Sequence, residues 1–248
     1  MSLHLNGNTI GDMYVGGTKV GEAWLNGQKV YSSAPPVINY IFRDIDANGN
    51  LTLATGALED ASKITALVDY GLYYAFENCT GLTGSISFPN LISIGDYGLN
   101  STFYNCRGLT GNISFPSLTS IGNYGLEYTF QNCTGLTGSI SFSNLTSIGD
   151  YGLRFAFQYC TGLAGNISFP RLTSIGDFGL YYAFRNCTGL TGNISFPSLT
   201  SIGNRGLQNA FYNCTGITEV HFKSSLSGNS ECTSSNMGCT NATVYFDL

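Results

Sequence analysis

NCTGLTGNISFPSLTSIGN, residues 186–204, recurs along the chain with small changes, and its cysteine marks the beat. Cys79, Cys106, Cys133, Cys160, Cys187 and Cys214 stand 27 residues apart without exception. A self-similar period of this length is the signature of a solenoid, whose units bury their apolar sides only by stacking on one another. The core positions keep the same period. Leu82, Leu109, Leu136, Leu163 and Leu190 form one ladder, ended by Ile217. Ile86, Ile113, Ile140, Ile167 and Ile194 form the next, with Phe88, Phe115, Phe142, Phe169 and Phe196 two residues on. That I-x-F alternation predicts a short strand with both apolar residues facing inward. Ladders led by Leu91, Ile94 and Phe76 complete each coil. Pro89, Pro116, Pro170 and Pro197 follow the strand, where no ladder donor is needed, and Ser143 replaces the proline once.

Outward from this array the chain divides into five parts. Residues 1–31 carry a shorter repeat with a period of 10, in which Asn-Gly or Gly-Gly stands between apolar residues. That is a hairpin signal, and it predicts a small antiparallel β meander acting as an anchor. Residues 32–36, with Pro35-Pro36, read as a linker, and residues 37–78 as an atypical capping coil. Within the latter, a strand is expected near 51–53, and the spacing of Leu58, Ala61, Ile64 and Leu67 predicts helix over 56–67. Regular coils fill 79–222. Residues 223–248 form a C-terminal cap closing on a strand over 243–248.

Charged residues make up 10% of the chain and the formal net charge is −5, with only 10 Lys and Arg in all. Phosphate neutralisation needs a basic stripe, so this composition argues against nucleic acid. The opening MSLHLNGNTIGD has no basic segment leading into an apolar one, and no 18-residue apolar run occurs, so no membrane insertion is expected. The six periodic cysteines read as buried thiols, since a free cysteine packs as a small hydrophobe. Cys232 and Cys239 break the period. They are the two placed for a disulfide, the alternatives being free thiols or a metal pair with no third ligand nearby.

The frame AFxNCxxLxxxIxFPxxLxSIGxxG, seen in Ala75-Phe76, Cys79, Leu82, Ile86, Phe88-Pro89, Leu91 and Ile94-Gly95, resembles the BspA-type leucine-rich repeats. The resemblance covers about residues 64–222. The fold it implies is α+β to mainly β: a leucine-rich-repeat solenoid of short parallel strands in 27-residue coils, preceded here by the β meander. The family's usual repeat is shorter; Gly98-Leu99 and Gly84 are among the additions here. Members are mostly surface proteins of bacteria and protists that act as adhesins, and the family implies no catalytic residues. The stretch VGGTKVGEAWLNGQKVY is similar to N-terminal segments of phage structural proteins.

Two surface stripes qualify as binding surfaces. One is the small polar stripe flanking the strand isoleucine, from Ser85/Ser87 to Asn193/Ser195, which reads either as a solvated sheet or as a docking face. The other is aromatic: Tyr97, Tyr124, Tyr151 and Phe178 share one repeat position, and Tyr128, Phe155 and Tyr182 share another, within coils whose core does not vary. Such a row suits stacking on sugar rings or packing on a protein; the plainer reading is half-buried rings that stitch coils together. Asp44, Asp46, Asn48 and Asn50 match the start of a calcium loop, but Thr55 stands where its glutamate belongs, so an Asn-Gly turn competes with calcium as a cofactor. Asp96, Asp150 and Asp177 alternate with Asn123 and Asn204 at one position, which suggests turn capping. His4 and His221 sit in different modules, and no phosphate loop, zinc motif or nucleophile elbow is present, so no enzyme is expected. The expectation is a non-enzymatic virion protein of a phage or prophage. Residues 1–31 would bind virion proteins or sister chains, and the solenoid would display an adhesive or decorating surface. The alternative is a bacterial cell-surface or secreted adhesin that binds a protein or glycan on a host cell surface.

Overall fold

The computed structural model describes residues 64–248 in full and, ahead of them, the backbone of six short strands, Leu3–Leu5, Asn8–Ile10, Trp24–Leu25, Gln28–Lys29, Arg43–Ile45 and Leu51–Leu53. These six pair antiparallel as three hairpins, with Leu5 opposite Asn8 and Leu25 opposite Gln28. Those registers bracket Asn6-Gly7 and Asn26-Gly27, the Asn-Gly signals of the first and third repeat units. The middle unit of the short repeat and the 32–36 linker lie outside the described residues.

From Ile64 onward the chain is a parallel β-solenoid with 27-residue coils and three walls. The first wall is the predicted I-x-F strand. Gly84–Ser87, Leu109–Ser114 and Ile140–Ser141 form one parallel stack, with Ile86, Ile113 and Ile140 in register. Gly165–Ser168, Leu190–Phe196, Gly216–Phe222 and Thr243–Tyr245 form another, with Ile167, Ile194, Val220 and Val244 aligned. The two stacks do not pair with each other; the ladder lapses in the coil where Ser143 replaces proline. The second wall is a six-stranded parallel sheet of two-residue strands, from Ala66–Leu67 through Ser93–Ile94 to Ser201–Ile202. The helix expected over 56–67 therefore does not hold at its described end. Leu67 takes the slot that isoleucine fills in later coils, and pairing with Ile94 outweighs local spacing.

The third wall is a run of β-turns that pair from coil to coil. Gly71, Tyr73 and Ala75 donate to the carbonyls of Val68, Tyr70 and Leu72, closing successive turns. The intervening Tyr70, Leu72, Tyr74 and Phe76 donate instead to Asp96, Gly98, Asn100 and Thr102 of the next coil. Every backbone donor in the run is thereby satisfied without a strand or helix. The geometry demands three left-handed residues per coil, four apart. In the first these are Tyr70, Tyr74 and Asn78, with φ of 58°, 53° and 58°. A left-handed tyrosine costs on the order of 1 kcal/mol, which the bonds between coils offset.

Between the walls lies one continuous core. Phe103, Phe130, Phe157 and Phe184 stack face to face at 5.2–5.3 Å, and Phe169, Phe196 and Phe222 form a parallel column at 5.2 Å. The cysteines pack there and also bond. Cys106, Cys133, Cys160, Cys187 and Cys214 each donate S–H to a phenylalanine carbonyl 30 residues back, at 2.9–3.1 Å. Each of these carbonyls also accepts the backbone N–H of the cysteine three residues after it, so the thiol adds a second bond that ties one coil to the next. Burial pushes the Cys133, Cys160 and Cys187 thiols well above the usual range, so they stay protonated. Cys232 and Cys239 are free and buried, which corrects the disulfide considered for them.

The cap ends the array by imitating another coil. Thr233 caps the short helix Ser234–Met237, whose Asn236 and Met237 carbonyls accept from Asn209 and Phe211. Glu231 completes the imitation: its two carboxylate oxygens accept from the backbone N–H groups of Arg205, at 3.1 Å, and Leu207, at 3.2 Å. In earlier coils those donors find carbonyls of the following coil. Replacing Glu231 with Ala orphans both, Leu207 being buried, and should cost about 1–3 kcal/mol in urea unfolding. Hydrogen exchange should accelerate first at 205–211; unchanged protection there would show that Glu231 does not hold the end. The closing strand stops at Tyr245 and not at Leu248. Beyond it, the Asp247 carboxylate meets His221 Nδ1 at 3.0 Å and holds the imidazole pKa above its ordinary value.

Candidate functional site

The turn wall sets the aromatic stripe on the outside of the solenoid. Because each stripe position has the same left-handed backbone, its side chain leaves every coil in the same direction. Tyr70, Tyr97, Tyr124, Tyr151 and Phe178 therefore stack in one column, with centroids 4.6–4.9 Å apart and planes within 6°. The guanidinium of Arg205 closes the column 5.5 Å above Phe178. Alongside runs a second, shorter column in which Tyr128 stacks on Phe155 at 5.1 Å and Phe155 on Tyr182 at 5.6 Å. The structure thus brings together all seven aromatic candidates.

The stacking also decides what the column can offer. Ring faces inside the column are covered by neighbouring rings, so only ring edges and phenol hydroxyls remain for a ligand. Burial, with help from neighbouring phenols and carboxylates, raises the pKa of Tyr97 and Tyr124, so those hydroxyls remain protonated donors. Such a surface is poorly matched to a sugar laid flat on a ring.

Between the columns sits a charged cluster. Glu127 is buried and ion-paired with Arg154, and it also accepts from Asn100 Nδ2 at 2.9 Å. Arg154 in turn lies 4.6 Å from the Tyr151 ring centroid. Burial raises the Glu127 pKa in spite of the lowering influence of Arg154. One coil on, Arg185 is caged by Tyr159, Tyr182 and Tyr212, at 6.0, 5.0 and 5.4 Å. Arg185, Tyr159 and Tyr212 were not singled out from the sequence. The available signal was variation at the positions before each periodic cysteine, where Tyr104, Gln131, Gln158, Arg185 and Tyr212 alternate.

The other candidates resolve differently. The aspartate/asparagine position is a cap: Asp69, Asp96, Asn123, Asp150 and Asp177 each accept, through Oδ1, the backbone N–H of the next residue in their ladder at 2.7–2.8 Å. One neutral or charged oxygen suffices, hence the interchange. The neighbouring glycines allow this approach; a Cβ on Gly176 would lie 2.7 Å from the Asp150 nitrogen. In the polar strand stripe, Asn112 N–H donates to Ser85 Oγ and Ser139 N–H to Asn112 Oδ1, both at 3.2 Å, so part of it serves the ladder. Asp44 lies in the antiparallel strand Arg43–Ile45, opposite Thr52, while Asp46, Asn48 and Asn50 lie outside the described residues. Among the described residues no group of three or more metal-ligating side chains converges, and no helix is long and apolar enough to cross a membrane. A cavity of about 300 Å³ opens between the last coil and the cap, beside Tyr212.

A leucine-rich repeat protein from Bacteroides ovatus ATCC 8483 is 25% identical over 74% of this chain, with a TM-score of 0.43; the chain spans only 46% of that protein. A leucine rich cell surface protein from Faecalibacterium prausnitzii A2-165 aligns over 88% of this chain and 97% of its own, at 15% identity and a TM-score of 0.20. No curated protein matches. The family model of the BspA type leucine rich repeat region matches residues 69–155 and 153–245, in six copies, and does not reach the segment with the phage-like resemblance. With those matches spanning well over half of its length, the chain belongs to the BspA-type leucine-rich repeat family.

Proposed function

We propose that the protein is a non-enzymatic surface adhesin of a bacterium, whose aromatic turn wall docks a polypeptide partner. The observation that carries this reading is the parallel column from Tyr97 to Phe178, which exposes ring edges at a regular spacing together with the protonated hydroxyls of Tyr97 and Tyr124. Apolar edges flanked by hydrogen-bonding tips and by Arg154 and Arg205 have the chemistry of protein-binding hot spots, which favour tyrosine and arginine. A glycan partner is the weaker alternative for this wall, because the faces are used within the column. The family's usual place on bacterial surfaces supports the location. Display on a virion rests on residues 1–31 alone, and an oligomer held by those residues would favour it.

The test is binding of the labelled full chain to a panel of intact bacterial cells and immobilised extracellular-matrix proteins. Wild type is compared with Tyr124→Ala/Tyr151→Ala. Loss of two central aromatic anchors should weaken binding by about thirtyfold or more, corresponding to about 2 kcal/mol. Unchanged affinity in the double variant, with its fold intact by circular dichroism, would sink the aromatic wall as the docking surface.

A further inference from the structure

The cavity at the cap differs in chemistry from the aromatic wall. It is bordered by Tyr212, 46% exposed, together with Asn209, Asn213, Asn241, Ser235 and Thr240. No charged side chain lines it. The thiols at its edge are neutral, since burial raises Cys214 to about 12 and Cys239 to about 11. Tyr212 belongs to neither stacked column: it meets Tyr182 edge to face at 6.4 Å, and no ring stacks parallel on it among the described residues. Arg185, from the coil before, covers it at 5.4 Å, while the cap stands at the next level.

We propose that this cavity is a binding site for one unit of a neutral saccharide. Three features select that class. The first is an aromatic face free of parallel stacking, which suits the C–H face of a sugar ring as the covered faces of the column do not. The second is the polar lining: side-chain amides and hydroxyls both donate and accept, as a sugar hydroxyl does, so each ligand hydroxyl finds a partner for either role. The third is a lining without charged groups, the nearby Arg185 guanidinium being engaged against the Tyr212 ring and not among the lining residues. A volume of about 300 Å³ lies at the small end of ligand sites, the scale of a single ring. The cap itself builds the site, because Ser235 on the short helix and Thr240 and Asn241 just after it supply part of the lining.

The test is saturation-transfer NMR on the full chain with the methyl glycosides of glucose, galactose, mannose and N-acetylglucosamine. Transfer to the ring protons of at least one is expected. It should fall at least tenfold in Tyr212→Ala, and equally in Ser235→Trp, which fills the cavity from an exposed position without touching the core. It should persist in Tyr124→Ala/Tyr151→Ala. No transfer from the wild-type protein to any of the four sugars overturns the proposal, as does transfer that survives Ser235→Trp in a protein of unchanged melting temperature. The polypeptide reading stands or falls separately, because it depends on the column and not on Tyr212.

Discussion

Phe157→Ala should cost about 3–5 kcal/mol in urea unfolding and should break the single unfolding transition into two. Phe157 is fully buried and stacks on Phe130 at 5.3 Å and Phe184 at 5.2 Å, with Phe142 edge-on at 6.4 Å. Truncation removes its transfer free energy and leaves a cavity that rigid stacked neighbours cannot fill. The position matters as much as the residue. The strand pairing of the I-x-F wall lapses between Ile140–Ser141 and Gly165–Ser168, where a single backbone bond from Ala164 N–H to the Gly138 carbonyl remains, so near Phe157 the coils depend more on the core and the other two walls. In a solenoid each unit is held by its neighbours, so weakening one interface uncouples the units on either side. Phe211→Ala removes a ring stacked in parallel with Phe184 alone among the described residues, and should cost less and leave one transition. Equal costs at the two positions would mean that the sheet lapse does not weaken the array there.

The sequence carried most of the core, though not the buried ladder from Leu99 to Leu207, and the turn wall scarcely at all. A cysteine every 27 residues, with leucine, isoleucine and phenylalanine at fixed offsets, requires stacked coils, because no single unit closes a core. Alternation at Ile194 and Phe196 located the strand, since period two survives in even a short segment. The turn wall has no such period. Its turns advance by two residues and its left-handed positions by four, and tyrosine at φ near 57° runs against ordinary preference, so Tyr97 and Tyr124 gave no local sign of their backbone. Asn78, Asn132 and Asn186 did carry one, since asparagine tolerates that conformation, but the reason for it lies one coil away in the bonds between turns. The helix expected near Leu67 failed for the same reason, because its partner strand is 27 residues downstream. The aromatic candidates were legible as variable positions on a constant frame. What the rings can bind was not, because that follows from their planes and not from their identities.

Arg154→Ala should destabilise the protein by about 2–3 kcal/mol at pH 8 and by distinctly less at pH 5. Removing one partner of a buried ion pair commonly costs about 3–5 kcal/mol, and the 27% exposure of the Arg154 side chain, which lets water screen the pair, brings the expected loss below that range. The remaining Glu127 carboxylate has 5% exposure and keeps only the Asn100 amide as a hydrogen-bond partner beside it. Burial already raises its pKa above 4.5, and both the charge and the hydrogen bond of Arg154 hold it down. Without Arg154 the folded-state pKa climbs further. A carboxyl whose pKa is raised on folding contributes stability that is fully present below its unfolded value. That stability is lost as pH rises through the folded value. The variant should therefore weaken between pH 5 and pH 8, over a range in which wild type changes less. Adding Glu127→Gln to Arg154→Ala removes the stranded charge and should recover most of the loss at pH 8 while changing little at pH 5. A deficit that stays constant from pH 5 to pH 8, or no recovery in the double variant, would mean that Arg154 contributes by packing on Tyr151 and not by neutralising Glu127.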